Sequence, residues 1–176
     1  MKPETGIGQD QLWCRLVRSN TDLSLAWQEF FSDGVDRVSL IRKGFFLPHG
    51  EDRATALRLL ERMDVSERMQ LFPELINLAR AVHGPVGFIW GQILSLPRDW
   101  VLAHIEPEVE AILRNEEEDD YWMFLQLYEQ LDAGLALKLA RRAASHVNPD
   151  IRELGEDSLE RLAQSKASGD GRSLPN

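Results

Sequence analysis

Carboxylates are the chemically able side chains that this sequence concentrates. Glu106, Glu108 and Glu110 are followed by Glu116, Glu117, Glu118, Asp119 and Asp120, with Arg114 the one cation between them, and Tyr121 and Trp122 come next. A second group, Glu153, Glu156, Asp157 and Glu160, lies nearer the end. Like charges packed so closely repel one another, which is tolerated in a solvated loop or where a partner brings cations. Both readings stand at this point. Acids at 118–120 also suit the start of a helix, whose dipole favours them. As a partner surface, Glu116, Glu117, Glu118, Asp119, Asp120, Glu153, Glu156 and Asp157 would steer a basic protein, and Trp122 would anchor it. Tyr121 falls on an apolar stripe and is expected in the core.

Other chemistries find less to work with. His104 and Glu108 have the i, i+4 spacing of metal ligands on a helix, but Pro107 interrupts them, and His49, His83 and His146 stand singly. No metal or cofactor is expected. Neither a GxSxG elbow nor an SxxK pair occurs, and Gly6-Ile7-Gly8 follows no strand that could make it a phosphate loop. Carboxylates are too numerous for the spacing to single out a general acid or base. Cys14, beside Trp13 and Leu16, is expected as a small buried apolar residue. Being the sole cysteine, it excludes an internal disulfide and suits a reducing compartment.

The formal charge of −9 is unevenly spread: residues 1–63 carry nine basic and nine acidic side chains, whereas residues 64–176 carry eleven and twenty. A field of that sign repels phosphate backbones and attracts cationic partners, so direct nucleic-acid binding is disfavoured. Residues 1–10 lack the apolar core of a secretory signal, and no run approaches the roughly 18 apolar residues of a membrane span. The expectation is a cytoplasmic monomer of one domain over 1–164, with a flexible tail at 165–176.

The elements that would position these groups are helices. Alternating β-branched runs are missing, and Leu, Ala, Glu and Arg dominate between glycines and prolines. Asn20-Thr21-Asp22 reads as a cap before a helix closed by Gly34, with a shorter helix over 10–17 and a third over 35–43. Asp52 to Met63 has helical spacing, and Asp64 with Glu67 forms a capping-box pattern. Pro73 then requires a kink or a restarted helix, which His83-Gly84-Pro85 ends. Tyr121 to Leu131 is apolar over most of its circumference, as an inner helix is. Leu135, Ala136, Leu139, Ala140, Ala143 and Ala144 share one face of the next helix. Asn148-Pro149-Asp150 starts the last helix, expected to end near Gln164.

Repetition organises the second part. Pro73-Glu74-Leu75 with Leu78-Ala79 recurs as Pro107-Glu108-Val109 with Ile112-Leu113, an offset of 34 residues. Phe88, Ile93 and Leu96 recur as Met123, Tyr128 and Leu131 at 35, and Leu154, Leu159 and Leu162 suggest a third copy. Such periods mark helix-turn-helix units stacked as an α-solenoid. Asp150-Ile151-Arg152 with Gly155, Leu159 and Leu162 resembles the second helix of a HEAT repeat, and the proline-containing helices at Pro73 and Pro107 resemble its first. The resemblance covers about residues 64–164; residues 1–63 carry no repeat.

It implies an all-α fold, a short right-handed solenoid of antiparallel helix pairs, and a non-enzymatic scaffold that holds other macromolecules. Small size, an acidic balance and aromatic-studded acids also resemble bacterial immunity proteins that neutralise a toxin, which would make the partner a basic toxin domain. Two rivals are a HEAT-like DNA glycosylase, which would gather Arg80, Arg98, Arg141, Arg142 and Arg152 with Trp90 or Trp100 in one groove, and an adaptor with no dedicated ligand.

Overall fold

The computed structural model describes residues 8–80 and 85–169, and these form ten helices with no strand among them. They are α1 (Gln9–Phe30), α2 (Arg37–Phe46), α3 (Gly50–Leu60), α4 (Val65–Gln70), α5 (Phe72–Ala79), α6 (Val86–Leu94), α7 (Arg98–Leu113), α8 (Glu118–Leu131), α9 (Ala133–Ala144) and α10 (Pro149–Gly169). From α2 onward each helix packs on sequence neighbours, and α5 on α7 and α8 on α10 add contacts between alternate helices. That pattern is compatible with a helical repeat.

Local chemistry explains most boundaries. The Asp64 and Glu67 capping box opens α4. Leu71 breaks the helix, and Pro73 sits in the first turn of α5, where its missing N–H costs nothing. The same residue type at Pro107 lies inside an unbroken α7, so only the first of the two prolines divides its segment. Asp132 closes α8 and opens α9, its carboxylate accepting from the backbone N–H of Gly134 at 2.8 Å and Leu135 at 3.1 Å. Those bonds, that to Leu135 foremost, hold the carboxyl below its ordinary range. Asn148 accepts from the Asp150 N–H at 3.0 Å at the start of α10.

Three expectations are corrected. Residues 10–31 form no pair of helices: α1 runs unbroken through Asn20-Thr21-Asp22. Thr21 and Ser24 donate back to the carbonyls of Val17 and Asn20, so polar residues that could have capped are absorbed into the helix. Cys14 is exposed, because nothing described covers that part of α1. Finally, α10 continues past Gln164 to Gly169. His83 and Gly84, and residues 170–176 of the expected tail, lie outside the described residues.

The core is a continuous apolar cluster from Ile41 and Phe45 in α2 to Ile151 in α10. Tyr121, Phe124, Leu127 and Leu125 of α8 are buried within it, as an inner-layer helix requires. At the far end α9 and α10 approach closely through Ala140, Ala143 and Gly155. A Cβ on Gly155 would come to 2.7 Å from the Ala143 carbonyl carbon and 2.8 Å from the Ala140 oxygen. Only glycine fits there.

Charge adds a second kind of stitching. Lys138 reaches Glu106, Arg142 reaches Glu110 and Arg161 reaches Glu129, each across 32 positions of sequence. Arg42 binds Glu74 across 32, and Arg98 binds Asp132 across 34. The separation is close to the period of the apolar pattern, which is compatible with a helical repeat.

Candidate functional site

The acidic stretch divides when its side chains are placed. Asp120 is only 1% exposed, and Arg80 Nε donates to its Oδ1 at 2.8 Å. Burial pushes its carboxyl above the ordinary range, and Arg80 pulls it back. Asp120 therefore belongs to the interior, which corrects its assignment to a partner surface. Arg80 also holds Glu117 at 3.2 Å. Glu116 lies 3.9 Å from His146 Nε2 and has a left-handed backbone, φ 55°, in the turn between α7 and α8. Glu106 and Glu110 are taken by Lys138 and Arg142 at 2.5 Å.

Glu118 and Asp119 remain open beside Trp122, and Glu108 on α7, half-buried, likewise has no ion pair among the described residues. Glu118 and Asp119 are exposed in the first turn of α8 with no ion pair among the described residues. Trp122 is 44% exposed, while Tyr121 beside it is fully buried. Helical spacing puts Glu118 one turn before Trp122 on the same strip. Glu153, Glu156 and Asp157 are exposed on α10, where Gly155 and Ser158 face the packed side.

The two acidic groups belong to neighbouring helices that run side by side. Ser158 donates to Glu129 at 2.7 Å and Arg161 at 3.0 Å, joining the last turn of α8 to the middle of α10. Near their starts, the ring of His146, just before α10, lies 5.5 Å from that of Tyr121. No hydrogen bond or ion pair among the described residues joins Glu118, Asp119 or Trp122 to Glu153, Glu156 or Asp157.

The remaining clusters are structural in geometry. A cavity of about 110 Å³ between α7, α8 and α9 is lined by Glu106, Glu110, Tyr128, Lys138 and Arg142. Burial, then Glu106 and Glu110, push the Tyr128 phenol far up, which keeps it neutral. Arg80 and Arg98 bind carboxylates at opposite ends of α8, so they do not meet in one groove. Trp90 donates to the Ala79 carbonyl, and Trp100 stacks on His104 with centroids 4.2 Å apart. Among the described residues no group of three or more His, Cys, Asp or Glu side chains is arranged to hold a metal ion. No described helix is long and apolar enough to cross a membrane.

Sequence reasoning expected Tyr121 inside and left Trp122 open between core and surface, and it missed the cations that claim half of the acidic stretch. A signal for them existed. Opposite charges recur at the offset of the repeat, as in Glu110 with Arg142 and Glu129 with Arg161.

No protein-family model, curated protein or solved structure matches this chain. Fold and site together define a class only: an all-helical chain compatible with a helical repeat, with unpaired carboxylates and an exposed tryptophan on its C-terminal helices.

Proposed function

We propose that this chain is a right-handed HEAT-like stack that acts as a cytoplasmic, non-enzymatic binding protein, an immunity protein that neutralises a basic toxin domain. Its contact surface is Trp122 with Glu118 and Asp119, extended by Glu153, Glu156 and Asp157 on α10; Glu116 and Glu117 form the rim. The single observation that carries this reading is the exposure of Trp122 beside acids that bind no cation of their own, on a helix that buries its other aromatics.

The physics favours a protein partner. Carboxylates on the rim raise encounter rates, while a desolvated indole supplies most of the holding energy. Mimicry of a phosphate backbone by these acids would suit a toxin that acts on nucleic acid.

The test is titration of the chain with purified basic toxin domains, at low and at high ionic strength, with toxin activity read in parallel. Binding that weakens with salt and abolishes toxin activity is expected. Absence of binding at low salt, or binding that leaves the toxin active, contradicts the proposal.

A further inference from the structure

The face of α1 that meets the body is apolar, and it runs on past the body uncovered. Trp27, Phe30 and Phe31 at its C-terminal end pack against the core, with the Arg62 guanidinium 3.8 Å over the Trp27 ring. Every residue from Gln9 to Ala26 is exposed. Leu12, Trp13, Leu16, Val17 and Leu23 are 47–66% exposed. On a helix Trp13, Leu16, Val17, Asn20, Leu23, Ser24 and Trp27 fall on one stripe, which carries no charge. An isolated helix of this length is marginal in water, and this one has no side-chain cap at its start.

At the root of the same stripe lies an open groove of about 450 Å³, lined by Ser24, Trp27, Gln28, Phe31 and Arg62. That size suits an aromatic guest. The molecule thus carries an apolar knob, Trp13 with Leu16, and a hole on one helix face, with Asn20 midway between them.

We infer that α1 pairs antiparallel with α1 of a second copy, about a two-fold axis at Asn20. This pairing brings Trp13 of one copy level with Trp27 of the other, Leu16 level with Ser24, and Val17 level with Leu23. Each tip enters the other's groove, and the two Asn20 amides meet at the axis, where a polar pair in an apolar seam fixes register. Contacts of this kind are reciprocal, as a closed dimer demands.

The knob and the hole lie on one face at equal distances along the helix from Asn20, which fits a second copy of the same chain. Each chain carries −9, so two copies can meet only where a face is neutral, as the α1 stripe is. Antiparallel pairing also keeps the two acidic bodies at opposite ends of a helix about 33 Å long, whereas parallel pairing would press them together. Trp13 and Leu16, 66% and 62% exposed, supply most of the apolar surface that the pairing covers. The inferred state is a dimer, where the sequence alone suggested a monomer.

Sedimentation equilibrium of the full chain over a concentration series tests this. The expected mass rises from 20.1 kDa toward twice that value, and Leu16→Asp and Trp13→Asp each hold it at the monomer while leaving the core untouched. Oxidation supplies the geometry: Asn20→Cys in a Cys14→Ser background cross-links, whereas native Cys14 does not, because antiparallel pairing separates the two Cys14 residues. A monomer at all concentrations, a dimer indifferent to Leu16→Asp, or cross-linking through Cys14 overturns the inference.

Discussion

Two residues show how the chain tolerates local cost beside the acidic site. Glu116 holds a left-handed backbone that glycine adopts freely and other residues adopt at about 1 kcal/mol or more. Glu116→Gly is expected to raise unfolding free energy by about 1 kcal/mol in denaturant titration. Asp120 and Arg80 are coupled by burial. Removing the cation in Arg80→Ala strands a buried carboxylate and is expected to cost about 3 kcal/mol. The pH dependence has a definite sign. Burial raises the folded-state pKa of Asp120 above 3.8, so the folded chain binds the proton more tightly, and this group's contribution to stability falls as pH rises through that range. Asp120→Asn is expected to flatten that part of a stability against pH curve; an unchanged slope would contradict a buried, protonation-sensitive carboxyl.

At the level of elements, Gly155 separates packing from propensity. Alanine there improves intrinsic helix formation by about 1 kcal/mol, but its Cβ would meet the backbone of Ala140, Ala143 and Ala144. Gly155→Ala is therefore expected to lower stability by about 2 kcal/mol in the protein, and to raise helicity in an isolated α10 peptide measured by circular dichroism. This contact was legible in sequence, since small residues lined the inner faces of both helices. So were the Asp64 capping box, the Asn148 start of α10 and the inward face of α9, where cap chemistry and period agree. The course of α1 was not. Asn20-Thr21-Asp22 has the composition of a cap, and only the back-bonding of Thr21 and Ser24 tells that the helix passes through it. Pro73 and Pro107 are alike in sequence, yet one helix breaks and the other does not, a choice made by packing between helices rather than by the residue.

For the whole molecule, the recurring apolar pattern made an all-helical fold legible, while the distribution of charge was misread because pairing is non-local. Glu106, Glu110 and Asp120 looked free in sequence, yet each finds a cation 32 or 40 positions away. What survives as an open surface is narrower: Glu118, Asp119 and Trp122, with the outer acids of α10. Exposed ion pairs between helices contribute little singly, so the apolar cluster is what holds the fold together. The most direct measurement is the dissociation constant for the basic toxin domain of three variants: Trp122→Ala, the double change Glu118→Lys with Asp119→Lys, and Glu51→Lys on α3 as a distant charge control. Binding is expected to weaken about thirtyfold for the first and at least as much for the second, with the control unchanged. Equal weakening in all three, or none at Trp122, would contradict a partner surface on α8.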